Sequence, residues 1–342
     1  MDSAQHRNAC LVADVGGTHA RLGWCAPGDP IDVRDMAMYR CAEHASLAAI
    51  LENYLLRLCS TQPSVRVTSG VVAIAGFLDG DRLVNANLPW KVSVRGTAQE
   101  AGLVSLQVIN DFEAVARAIP GVQRSALVAL VALVAQDDPG MQSPALVLGP
   151  GTGLGAALCL DAQGSQVLLS EAGHAALAAN TAVELDVLQC LSRRWSHVDN
   201  ERVLSGNGLM HLYDALADVR GAMPHWKQVA PLVEAAHGDD PLARETLAVF
   251  CGWLGILVGD LVLTVGARQA YLAGGVTRHI APFLHQGDFA RRYAGKFTGT
   301  RAPPPVWRID HGQLGLVGAA MHARTHRPER VSKVEPSSEE QA

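Results

Sequence analysis

Two segments of the chain combine glycine turns with a threonine. Leu11-Val12-Ala13-Asp14-Val15-Gly16-Gly17-Thr18-His19-Ala20-Arg21-Leu22 and Ala145-Leu146-Val147-Leu148-Gly149-Pro150-Gly151-Thr152-Gly153-Leu154-Gly155-Ala156-Ala157-Leu158 each read as strand, turn, strand. Glycine tolerates positive φ and lets backbone N–H groups approach an anion, and a threonine hydroxyl adds a donor. Asp14, at the end of the first strand, also suits a metal ion bound to phosphate. A single hairpin of this kind says little, but two in one chain predict paired phosphate clamps. Neither is a familiar nucleotide loop. Gly151-x-Gly153-x-Gly155 is followed by a strand, unlike the dinucleotide fingerprint, and no G-x-x-x-x-G-K-[ST] occurs. The phosphates would therefore be held by hairpin amides and a divalent cation.

Other polar groups have weaker claims when taken singly. Asp111, between a strand and a helix, reads alone as a helix cap. Glu171 and His174 share a glycine-containing loop, Glu171-Ala172-Gly173-His174, that lets both side chains converge on neighbouring hydroxyls. His174 by itself would be a satisfied polar residue, and Glu201 beside Arg202 a solvated charge.

The elements that must position these groups follow from hydrophobic spacing. Helices are expected over Ser46–Cys59, Glu113–Ile119 (stopped by Pro120), Thr181–Trp195, Gly206–Leu216, Pro231–His237, Pro241–Val265 and Gly312–His322. Strands are expected at Val71–Ala75, Leu106–Ile109 and Gln269–Ala273, the last running into Gly274-Gly275, which opens another helix. This alternation predicts an α/β architecture. The expected limits are a small α/β domain over 1–121 completed by 312–324, a large one over 122–311, and a disordered polar tail over 325–342.

With 342 residues, 49% of them hydrophobic and 18% charged, the chain can bury two domain cores. A net charge of −5 with no Lys/Arg block argues against a nucleic-acid surface. The seven cysteines (10, 25, 41, 59, 159, 190 and 251) form no C-x-x-C pair, and Met1–Asn8 is too short and polar for a leader. Reduced thiols in a cytoplasmic protein are expected. Ala126–Ala135 is too short to span a bilayer, and Leu247–Val265, interrupted by Asp260 and three glycines, is expected to be a core helix. No membrane association is expected.

Six blocks occur in the order found in bacterial glucokinases, and the chain resembles that family from about Leu11 to Arg324. They are Asp14-Val15-Gly16-Gly17-Thr18, Ile109-Asn110-Asp111-Phe112, Gly149-Pro150-Gly151-Thr152-Gly153-Leu154-Gly155, Glu171-Ala172-Gly173-His174, Glu201-Arg202-Val203-Leu204-Ser205-Gly206 and Leu272-Ala273-Gly274-Gly275. The resemblance implies a two-domain actin-like ATPase (ribonuclease H-like) fold with a cleft between a small and a larger domain. It implies transfer of the γ-phosphoryl of ATP to the 6-hydroxyl of glucose, with Mg²⁺. Ala13, Asp14, Val15, Gly16, Gly17 and Thr18 would contact ATP, Asp14 through the Mg²⁺. Gly151 and Thr152 would grip the phosphates as well, and Gly274 and Gly275 would lie against adenosine. Asn110 and Asp111 would bind the sugar, Asp111 acting as general base, and Asn87, Glu171, His174 and Glu201 would hold other hydroxyls. A homodimer is implied too.

The chain departs from the family pattern at His19, at Leu88-Pro89 within Asn87-Leu88-Pro89-Trp90, at Ala172 and at Ala175-Ala176-Leu177. These departures bear on sugar choice and leave open a kinase of another hexose or amino sugar. A sugar-sensing regulator is the alternative outside the enzymes, but the first glycine hairpin begins within about a dozen residues of Met1, too early for an N-terminal helix-turn-helix. No structural zinc is expected, since the cysteines nearest His174, Cys159 and Cys190, stand singly.

Overall fold

The computed structural model describes residues 7–26, 31–85, 88–131, 140–297, 299 and 302–326. Asn87, the end of the apolar run after residue 131, and the tail beyond 326 lie outside them. Packing divides the chain into two compact units, Met1–Ile109 with Ala319–Ala342, and Asn110–Gly318. The division falls before the limit expected after Gly121.

The first unit is built on β1 (Arg7–Val15), β2 (His19–Cys25), β3 (Val33–Arg40), β4 (Val65–Ile74) and β8 (Ser105–Asn110), in the order β3-β2-β1-β4-β8. The short strands β5 (Phe77–Asp79), β6 (Arg82–Val84) and β7 (Val92–Ser93) form a separate sheet, and the helices are α1 (Leu47–Thr61) and α2 (Val94–Glu100). In β1 and β4, runs of apolar residues mark strands covered on both faces. Leu11, Ala13, Val15, Val72 and Ile74 pack with Ile50, Leu51, Tyr54 and Leu58 of α1. Ser46 caps α1 by accepting from the Ala49 N–H at 3.1 Å, which is why the helix begins at Leu47.

The second unit opens with α3 (Asp111–Ala118) and continues through β9 (Leu127–Val131), β10 (Ala145–Pro150), β11 (Leu154–Cys159), β12 (Val167–Ser170), α4 (Ala182–Ser192), α5 (Gly206–Arg220), α6 (Val229–His237) and α7 (Pro241–Val265). It ends with β13 (Gln269–Leu272), α8 (Gly275–His279), α9 (Ala281–Gln286), α10 (Phe289–Ala294), β14 (Val306–Ile309) and α11 (Leu314–Thr325), which runs on into the residues of the first unit. The sheet order is β12-β11-β10-β13-β14-β9, with β10, β13 and β14 parallel.

By length and composition α7 could cross a membrane, yet 61% of its most apolar stretch is buried within the unit. Phe250, Cys251, Trp253, Leu254 and Val258 all lie in the core. Its three glycines, expected to interrupt the apolar run, seat α10 instead. A Cβ on Gly252 or Gly259 would meet Arg292 or Lys296 at 2.8 Å, and one on Gly255 would overlap the Phe289 carbonyl. The helix is a core helix, held by Asp240 at its N-cap and stopped by Gly266 in the left-handed conformation (φ 68°).

Candidate active site

In the first unit, Asp14 and Arg21 are cross-strand partners, as are Val15 and Ala20, and the turn between them is closed by the Gly16 N–H donating to the His19 carbonyl at 2.9 Å. Gly16, Gly17 and Thr18 are exposed, whereas the Ala13 and Val15 side chains are buried in the sheet core. Those two can offer only backbone groups. The Asp14 side chain is 22% exposed and lies 3.5 Å from the Arg21 guanidinium. Burial pushes its carboxyl above the usual carboxylate range, and Arg21 partly offsets this.

Cys41, fully buried, secures this turn from behind. Its N–H donates to the Thr18 carbonyl at 2.9 Å and its thiol to the Gly16 carbonyl at 3.3 Å. Burial raises the pKa of the thiol, which keeps it a donor.

In the second unit the turn between β10 and β11 is tighter, with the Gly151 N–H donating to the Gly153 carbonyl at 2.8 Å. The Gly206 N–H, in the first turn of α5, donates to the Gly151 carbonyl at 2.8 Å, and Thr152 is exposed at the tip. Glu201 supports the same turn. Its carboxylate accepts from the Leu154 N–H at 2.8 Å, and a Cβ on Gly153 would come within 2.5 Å of Oε2. A side chain at Gly153 would therefore displace the Glu201 carboxylate. Gly274, at φ 104°, caps α8, and any Cβ there would meet the Pro150 carbonyl at 2.5 Å. The Gly274-Gly275 turn is thus fixed beside Gly151.

The segments 172–177 and 198–201 are laced together. The Leu177, Asn200 and Glu201 N–H groups donate to the Val198, Ala175 and Gly173 carbonyls at 3.0, 3.0 and 2.9 Å. This lacing brings Glu171 and His174 beside Glu201. His174 Nε2 lies 3.8 Å from Glu171, and Nδ1 lies 3.8 Å from Asp199. Both Glu171 (87% exposed) and His174 (60%) face solvent, so their hydrogen-bonding capacity remains available to a ligand.

Asn110 and Asp111 stand at the start of α3. The cap is Asn110, whose side-chain oxygen accepts from the Phe112 and Glu113 N–H groups at 2.8 and 3.3 Å. Asp111 is already the first helical residue, and its Oδ1 is 3.0 Å from the Phe112 N–H. The capping role that fits Asp111 in the sequence is thus taken by its neighbour.

The glucokinase family model matches residues 11–326. The chain belongs to the glucokinase family. A glucokinase-like protein of Xylella fastidiosa (strain 9a5c) is 38% identical over 320 residues, 91% of this chain and 93% of that protein. The glucokinase of Paramagnetospirillum magneticum (strain ATCC 700264 / AMB-1) is 35% identical over 317 residues, 91% of this chain and 96% of its own. Among solved structures, the glucokinase of an Antarctic psychrotroph superposes with a TM-score of 0.78 at 33% identity, covering 92% of this chain and 98% of that one. The fold is the actin-like ATPase fold shared by glucokinases and ROK sugar kinases.

Within this glucokinase-family chain, the second unit contains Asn110, Asp111, Gly151, Thr152, Glu171, His174, Glu201, Gly274 and Gly275. The first unit carries Ala13–Thr18. Sequence reasoning missed three residues. Cys41 holds the first turn, but nothing near it in the sequence points there. Asp199, a 7%-exposed carboxylate accepting from the Arg202 N–H at 2.9 Å, lies two residues before Glu201 and could have been found as an acid beside an acid. The third, Phe112, stands in the Ile109-Asn110-Asp111-Phe112 block, where the resemblance gives it no role.

Proposed function

We propose that the protein is a glucokinase, transferring the γ-phosphoryl of ATP to the 6-hydroxyl of glucose, with Asp111 as general base. The observation that carries this reading is the placement of Asp111. Its carboxylate starts α3 in a member of the glucokinase family, with its capping duty handed to Asn110. Phosphoryl transfer through a loose transition state leaves the protein to position the groups and stabilise charge, and a carboxylate need only orient the hydroxyl and accept its proton.

Asn110, Glu171, His174 and Glu201, with Asn87, would hold the sugar hydroxyls. Gly16, Gly17 and Thr18, with the Ala13 and Val15 backbone, and Gly151 with Thr152 would hold the ATP phosphates, and Gly274 and Gly275 the adenosine. Mg²⁺ is commonly held by one or two carboxylates plus substrate phosphates. Asp14 fits that pattern as a part-exposed carboxylate beside an exposed glycine turn. Among the described residues no cluster of three His, Cys, Asp or Glu side chains could hold a metal. Once bound, Mg²⁺ neutralises charge on the phosphates. The same reading assigns the protein to glycolysis and the cytoplasm, in homodimeric form.

The test is Asp111→Asn. Loss of a general base typically costs about 10²–10⁴ in rate, so turnover should collapse while glucose and ATP still bind by titration. Turnover within about threefold of wild type, where base catalysis is worth at least about 10², would remove Asp111 from that role.

A further inference from the structure

Four glycines of the second unit approach α3 so closely that a side chain on any of them would force a neighbour to move. A Cβ on Gly164 (φ 69°) would overlap the Arg117 carbonyl, and one on Gly318 of α11 the Ala114 carbonyl. The other two are Gly149 and Gly155, cross-strand partners on β10 and β11. A Cβ on Gly149 would overlap Phe112 at Cζ and Cε1, and one on Gly155 would overlap Cγ, Cδ2 and Cε2 of the same ring. The two glycines therefore form a slot, open because neither has a side chain, that the Phe112 ring fills. They also bracket the turn that carries Gly151, Thr152 and Gly153.

The backbone of Phe112 faces the chemistry. Its N–H is shared by the Asn110 side-chain oxygen at 2.8 Å and Asp111 Oδ1 at 3.0 Å. One residue thus joins the second glycine turn, through its ring, to the two polar side chains at the start of α3, through its N–H. Farther along the helix, Arg117 donates to Glu113 at 2.9 Å and to the Gly164 and Ser165 carbonyls at 3.2 and 3.0 Å. That network anchors the later part of the helix to the loop at Gly164 and Ser165, and the ring packs its start against the β10–β11 hairpin.

We infer that Phe112, seated between Gly149 and Gly155, is a positioning residue that fixes the Asp111 carboxylate relative to the phosphate turn of the second unit. The inference rests on the reading of Asp111 as general base. It also separates the glycines of the Gly149–Gly155 block, the outer pair making room for the ring and the inner pair forming the turn. Misplacing a reacting group by 1 Å costs about 10²-fold, so the slot governs kcat and has little hold on either KM.

The experiment uses the full chain and reads kcat and both KM values, with circular dichroism as the check on folding. Gly155→Ala puts a methyl into the slot and should lower kcat by about 10²-fold, with both KM values held within about threefold. Phe112→Leu leaves the slot part empty and should lower kcat by about 10-fold, which carries the test by itself if Gly155→Ala does not fold. Combining Phe112→Leu with Gly155→Ala refills the slot, and kcat should recover by about fivefold over Gly155→Ala, since contacting sites are not additive. On an Asp111→Asn background, Gly155→Ala should change the residual rate by less than about twofold, because groups acting as one unit fail together.

Single variants that keep kcat, losses that fall on KM, or an undiminished loss on the Asp111→Asn background would each overturn the inference. An active Asp111→Asn would instead overturn the reading of the base. The two failures are therefore distinguishable.

Discussion

The two glycine hairpins look interchangeable in the sequence and are built differently. The β1–β2 turn spans Gly16 to His19 and is held by a single buried residue, Cys41, through one backbone and one thiol hydrogen bond. Its glycines face solvent, and a Cβ on Gly16 would find only the His19 carbonyl, at 3.7 Å. The β10–β11 turn is clamped from several sides, by Glu201 at Leu154, Gly206 at Gly151, Gly274 against Pro150 and Phe112 between Gly149 and Gly155. In the first hairpin glycine serves backbone exposure, and in the second it makes room for neighbours. Similar motifs can thus arise from different physical needs, and the second turn is the one held by the larger number of distant residues.

That contrast predicts different responses to losing a support. The largest effect should come from Glu201→Ala. A hydrogen bond to a charged group is worth roughly 1.5–3 kcal/mol, or about 10–100-fold. Because the carboxylate holds the Leu154 N–H, the KM for ATP should rise along with that for glucose. If only glucose is affected, Glu201 is a sugar ligand and the second turn does not depend on it. His174→Ala should be milder and selective, raising the KM for glucose by about 10-fold and leaving ATP unchanged, the size of one hydrogen bond. An equal effect on ATP would mean that His174 supports the loops instead of meeting the sugar.

Cys41→Ala should have the smallest effect. Thiols are weak donors and the backbone bond to Thr18 survives, so a rise of about two- to fivefold in the KM for ATP is expected, at the low end for a neutral hydrogen bond. Cys41→Ser, which keeps a donor, should restore part of it. A larger loss in Cys41→Ala than in Glu201→Ala would reverse the contrast between the hairpins.

Local signals made much of the fold legible. Ser46, Thr181 and Pro241 mark helix starts that the structure places within one residue, because caps and N-terminal prolines act on their immediate neighbours. The end of α5 was harder to read. The sequence reading stops it at Leu216, but the helix continues through Ala217-Asp218-Val219-Arg220 and ends at Gly221 in the left-handed conformation. Gly221 was the available signal.

The site divides along the same line. Both glycine turns and the Glu171–His174 loop are contiguous in sequence and could be read directly. That Glu201 reaches Leu154, that Asp199 faces His174, and that Phe112 needs two glycines across a strand pair are long-range facts. No spacing rule contains them.

The most direct test of the central claim is a coupled assay of sugar-phosphate formation by the purified chain over a panel of hexoses and amino sugars, with ATP, ADP and polyphosphate as donors. Glucose with ATP and Mg²⁺ should give the highest kcat/KM, and the product should be glucose 6-phosphate. A higher kcat/KM for another sugar, or no sugar-dependent release of ADP, would contradict it.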